Sequence, residues 1–132
     1  MENIVSECGD SFQDGVTNWL VACFGEVAAT DRAERTHRFL EEALEFGQAL
    51  GCTREEALQL VDYVFGRPPG EPVQEAGGVL LTLAGACHAH SLDMQAAGNA
   101  ELARVWEKRD AIRRKHAARP HNSPLPGPSD AS

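Results

Sequence analysis

Long apolar runs are missing from this chain. Nowhere in its 132 residues do 18 or more apolar side chains follow one another, and a helix that crosses a bilayer needs about 20. Positive charge is scarce too, with 12 Lys and Arg against 20 Asp and Glu, a formal net charge of −8 and a pI near 5.0. That balance speaks against a nucleic-acid backbone or an anionic membrane as the main partner. It leaves a nucleotide open, because a bound metal ion can invert the local charge. The N-terminal Met1-Glu2-Asn3-Ile4-Val5-Ser6-Glu7 lacks the basic and apolar regions of a signal peptide, so a cytoplasmic protein is expected. Cys8, Cys23, Cys52 and Cys87 include no CxxC pair and read as small buried hydrophobes or free thiols. Cys87-His88-Ala89-His90 lacks the partner ligands of a zinc site. Period-two alternation is also missing, and with it any strand pattern.

Helical periodicity takes its place. One domain fits the length, with residues 1–12 as a loose leader, 13–118 as a helical domain and 119–132 as a Pro-rich tail that reads as disordered. A first helix spans about Gln13 to Ala28, with Asp14 as N-cap and Val16, Trp19, Leu20, Cys23, Phe24 and Val27 at three- and four-residue steps. A second follows Thr30, where Asp31-Arg32-Ala33-Glu34 has capping-box spacing, and ends near Leu50 before Gly51. Thr53-Arg54-Glu55-Glu56 opens a third, to about Phe65. The break Gly66-Arg67-Pro68-Pro69-Gly70-Glu71-Pro72 precedes a fourth, from about Val73 to His88 or Ala89. This fourth helix is apolar nearly all round and reads as a central or interface helix. Asp93 caps a fifth from Met94 to Lys115 or His116, with a basic second half. The expected fold is all-α, a four- to five-helix bundle.

The stretch Arg38-Phe39-Leu40-Glu41-Glu42-Ala43-Leu44-Glu45-Phe46 carries the most chemistry. Glu41 and Glu45 are four apart and Glu42 and Glu45 three apart, so the three carboxylates share one side of a helix and repel. A hard divalent cation would offset that, although a solvated Glu-rich face is the plainer alternative. Glu42 projects onto the shoulder of the apolar stripe formed by Phe39, Leu40, Ala43, Leu44, Gly47 and Leu50, where partial desolvation would be costly unless it is paired or metal-bound. Asp62 sits in a mostly apolar helix, where it could pair with a base, cap a neighbour or join a metal site. Glu75 leads the face Val79, Thr82 and Ala86 of the fourth helix, and a simple dipole role competes with a functional one.

Glu41-Glu42-Ala43-Leu44-Glu45 on one helix, then Glu75-Ala76-Gly77-Gly78-Val79-Leu80 on a later one, resembles the MazG-like family of all-α nucleoside triphosphate pyrophosphohydrolases. The resemblance covers about residues 31 to 115. The family pattern is ExxE followed by ExxD. Glu42 and Glu45 match the first pair and Glu75 the first acid of the second, while Gly78 stands where the Asp belongs. No clean match to the family's phosphate-binding Lys and Asn occurs around Glu101 to Lys108. The resemblance implies Mg²⁺, with Mn²⁺ as a substitute, held by Glu42, Glu45 and Glu75, with Asp62 a further candidate. It implies Glu41 or Glu45 as proton acceptor, and Arg38, Lys108 and Trp19 as substrate contacts. It also implies a homo-dimer or tetramer that releases a nucleoside monophosphate and pyrophosphate from a nucleoside triphosphate. The alternative is a catalytically eroded module that binds a nucleotide or a protein partner without turnover.

Overall fold

The structure, a computed structural model, describes residues 11–127. Most of the expected leader, Cys8 and the last five residues lie outside the described residues. Within them the chain is all-α, with six helices and no strand: α1 (Phe12–Ala29), α2 (Arg32–Ala49), α3 (Arg54–Phe65), α4 (Pro72–Ala89), α5 (Met94–Glu107) and α6 (Arg109–Ala118). No helix is long and apolar enough to cross a membrane among the described residues.

Side-chain caps fix most of the boundaries. Ser11 rather than Asp14 is the N-cap of α1. Asp14 is its N3 residue, and the two exchange hydrogen bonds, Asp14 N donating to Ser11 Oγ at 3.2 Å and Ser11 N to Asp14 Oδ2 at 3.4 Å. Thr53 and Glu56 form the same reciprocal box on α3, at 3.2 and 2.9 Å. Asp31 Oδ1 accepts from Glu34 N (3.1 Å) and Asp93 Oδ1 from Ala96 N (2.8 Å). Glu71 caps α4, with Pro72 at the first turn. At the far end of α2, Gly51 adopts φ +97° and Cys52 N returns to Gly47 O at 2.9 Å, the C-terminal closure that the glycine permits.

The long fifth helix expected from Met94 to His116 divides at Lys108, where φ −93° and ψ +14° interrupt the helical run. The backbone bonds Lys108 N to Arg104 O and Ile112 N to Lys108 O persist across the break. α6 then follows α1 instead of extending α5. α1 itself bends at Gly25, whose φ +83° and ψ +168° lie in a region essentially reserved for glycine.

The chain divides into two compact units. Unit 1 combines residues up to Arg38 with those from Gly98 onward, and unit 2 is Phe39–Ala97. In unit 1, α6 is fastened to α1 by backbone acceptors: Arg113 donates through Nε to Cys23 O and through Nη2 to Ala22 O, each at 2.6 Å. Cys23, itself buried, points its Sγ at Arg109 O at 3.7 Å, and burial pushes its thiol pKa up. Gly15 lies against Leu102 and Gly98 against the Phe12 ring. From Pro120 the chain continues in turns, and Arg38 Nη2 donates to Pro124 O at 2.6 Å.

Unit 2 holds α3, α4, the larger part of α2 and the first residues of α5. The apolar circumference of α4 reads as a central or interface helix, and in the single chain Val73, Leu80 and Leu81 are exposed. Cys87 is the buried residue of this unit, with Leu83 and Ala86 half-buried. The α2 stripe is open as well, at Phe39, Leu40 and Leu44.

Candidate functional site

The acids singled out by pattern all fall in unit 2. Glu42 and Glu45 are exposed on α2, Asp62 on α3 and Glu75 in the first turn of α4, while Glu41 is half-buried. The shoulder position expected for Glu42 therefore does not desolvate it. Phe39 beside it is itself open to solvent, Phe46 is half-buried, and Glu41 is the more enclosed of the two carboxylates. Among the described residues, neither the Glu45 nor the Glu75 carboxylate is held by an ion pair. Glu75 bends back over the preceding loop, so that a Cβ placed on Gly70 would stand 2.5 Å from Glu75 Oε1. Gly70 thus keeps the space this carboxylate occupies. A Cβ at Gly78 would meet nothing within 4 Å, so a side chain at the family's Asp position would project into open space.

Among the described residues, no three His, Cys, Asp or Glu side chains come together in a group able to hold a metal ion.

The three substrate candidates belong to unit 1. Trp19 is half-buried on α1, edge-on to Phe24 at 5.6 Å between ring centroids. Lys108 is exposed at the α5–α6 break. Arg38 is occupied within its own unit, by Pro124 O and by Glu34.

A second polar cluster lies outside these motifs. Glu34 is 8% exposed, the one buried charged side chain among the described residues. Its Oε1 lies 3.3 Å from Arg38 Nε, 3.7 Å from Arg35 Nη2 and 3.9 Å from His116 Nδ1. Burial lowers the Arg35 pKa against the opposing pull of Glu34 and Asp31. The Arg35 guanidinium stands 5.4 Å from the Phe24 ring centre, and the His116 ring lies 4.6 Å from Phe24 on a tilted contact. Glu34, Phe24, Asp31, His116, Arg119 and His121 are among the residues lining a cleft of about 320 Å³ within unit 1. The only sequence signal for this cluster is the Asp31-to-Glu34 spacing. It reads as a capping box, and the structure keeps half of it: Asp31 caps Glu34 N, whereas the Glu34 carboxylate turns inward to the arginines.

Comparison with protein-family models, curated proteins and solved structures finds no match to the chain.

Proposed function

We propose that the chain is a MazG-like nucleoside triphosphate pyrophosphohydrolase working as a homo-dimer or tetramer. The reaction breaks the α–β phosphoanhydride bond, forms a P–O bond from water, and releases a nucleoside monophosphate and pyrophosphate. The observation that carries this reading is the carboxylate pattern of unit 2: Glu41, Glu42 and Glu45 on α2 and Glu75 on α4, with Glu45 and Glu75 exposed and outside any ion pair among the described residues. Glu41 and Glu45 are the proton acceptors of this reading. Arg38, Lys108 and Trp19 are its substrate contacts. Mg²⁺, or Mn²⁺ in its place, is the cofactor it calls for. In this reading Glu42, Glu45 and Glu75, with Asp62 a further candidate, would hold that ion, although no three such side chains gather among the described residues of one chain.

A second reading is a module that binds a nucleotide or a protein partner without turnover. Two observations favour it, the missing side chain at Gly78 and the acids' failure to converge. Product analysis separates the two. Purified protein is incubated with ribo- and deoxynucleoside triphosphates, with Mg²⁺ or with chelator, and the products are resolved by chromatography beside Glu42→Gln. Metal-dependent monophosphate and pyrophosphate, lost in Glu42→Gln, bear out the enzyme. No turnover on any triphosphate leaves the binding module.

A further inference from the structure

We infer that one face of α3 is a docking surface for a basic amphipathic helix of a partner protein. The inference goes beyond the pyrophosphohydrolase reading and stands or falls independently of turnover. Every residue of α3 except Ala57 is exposed, although Leu58, Leu60, Val61, Tyr63, Val64 and Phe65 make up half of this 12-residue helix. A helix this short draws most of its stability from packing of an apolar face, and the described residues give α3 little such cover. Continuity of the face follows from the helix alone. Leu58, Val61 and Phe65 are three and four apart and form one ridge, and Phe65 at its end is 83% exposed. Glu55 and Asp62 stand three and four residues from Leu58, so the two acids run along one edge of that same ridge.

Charge selects the occupant. Among the described residues neither the Glu55 nor the Asp62 carboxylate is held by an ion pair. On α3 itself Glu55, Glu56 and Asp62 outnumber the single base, Arg54 in the first turn, and residues 39–97 as a whole hold nine acids and two bases. A nucleic acid or an anionic bilayer is repelled by such a helix. The same face of a second copy would set Glu55 and Asp62 against like charge. A partner helix with apolar side chains at steps of three and four fits the spaces beside Leu58, Val61 and Phe65, ridge into groove. Lys or Arg flanking its stripe then meets Glu55 and Asp62, which speeds association and fixes the side on which the partner lies.

The test is binding of the full chain to a fluorescent leucine–lysine peptide of about 14 residues, two heptads with the leucines on one stripe, read by anisotropy. Two control peptides accompany it, one with the leucines scattered around the helix and one with glutamate in place of lysine. The striped basic peptide should bind about tenfold more tightly than either control. Its affinity should fall about tenfold as salt rises from about 0.01 M to about 0.15 M, which shortens the screening length from about 30 Å to about 8 Å. Glu55→Gln with Asp62→Asn should weaken binding at low salt and flatten the salt response, whereas Glu26→Gln with Glu107→Gln, the same charge change on exposed residues of unit 1, should leave both unchanged. Val61→Gln with Phe65→Gln should weaken binding about tenfold at both salts, with helix content by circular dichroism kept, because glutamine is the better helix former. No binding of the striped peptide, equal binding of either control peptide, or equal losses in the α3 and unit 1 charge variants overturns the inference. So does a peptide-free dimer, by light scattering, that Val61→Gln with Phe65→Gln dissociates, since the face then belongs to a second copy.

Discussion

Unit 1 and unit 2 are built from similar helices, yet different forces hold their side chains. Unit 1 joins segments 60 or more residues apart in sequence through specific polar contacts: Arg113 on the α1 carbonyls, Arg38 on Pro124 O, and Glu34 between Arg35, Arg38 and His116. Unit 2 is contiguous, and its evident polar order is local, made of the helix caps at Thr53, Glu71 and Asp93. Its apolar side chains stay largely open. The lesson is that capping and periodicity set where helices begin and end, while the stability of a unit depends on finding cover for the faces those helices present.

The largest effect on this contrast is expected from Glu34→Ala. It leaves Arg35 and Arg38, both partly enclosed, without their buried counter-charge, and should destabilise unit 1 by about 3 kcal/mol. Hydrogen exchange should localise the loss to α1, α2 up to Arg38, and α6. If α3 and α4 lose protection equally, the two units are not independent in stability.

Next comes Gly25→Ala. The +83° φ with ψ +168° is costly for any residue with a Cβ, by about 2 kcal/mol, although no neighbouring atom blocks the space. A thermal melt that barely moves would show that the bend in α1 relaxes at little cost and is not a fixed part of unit 1.

In unit 2, Thr53→Ala should cost about 1 kcal/mol through loss of the α3 cap. The opposing half of that cap carries a pH signature. The Thr53 N–H and hydroxyl hold the Glu56 pKa below its usual value, so the folded pKa lies below the unfolded one. The contribution is therefore present above the unfolded carboxylate range and lost as pH falls through the depressed folded value. Acid melts of the wild type and Glu56→Gln should converge at low pH and separate as pH rises. The smallest effect belongs to Glu101, whose pKa Arg104 holds down by a hydrogen bond on the surface of α5. Glu101→Gln should change stability by no more than a few tenths of a kcal/mol, and a larger change would mean that α5 depends on this pair.

The sequence makes the helices legible because caps are local. Thr53 with Glu56, Asp93, and Gly51 with its left-handed φ are each decided by a few consecutive residues, and each falls within a residue or so of its expected place. The N-cap of α1 shifts from Asp14 to Ser11 because both residues of a capping box carry acceptors and the spacing alone does not rank them. The burial of Glu34 was not legible, since it rests on His116, more than eighty positions away in the chain, and on which way a carboxylate turns once its N–H is capped. The openness of α4 was not legible either. An apolar circumference says that a helix needs cover, and not whether its own chain supplies it. For the candidate site, the residue types and their helical spacing could be read, but the meeting of α2 acids with Glu75 is a tertiary matter, and the described residues do not show it.

The most direct test of the contrast is hydrogen exchange on the full chain, resolved by segment. The account predicts slower exchange in α1 and α6, which contacts distant in sequence tie together, than in α3 and α4, whose polar order is local. Slower exchange in α3 and α4 than in α1 and α6 would contradict it.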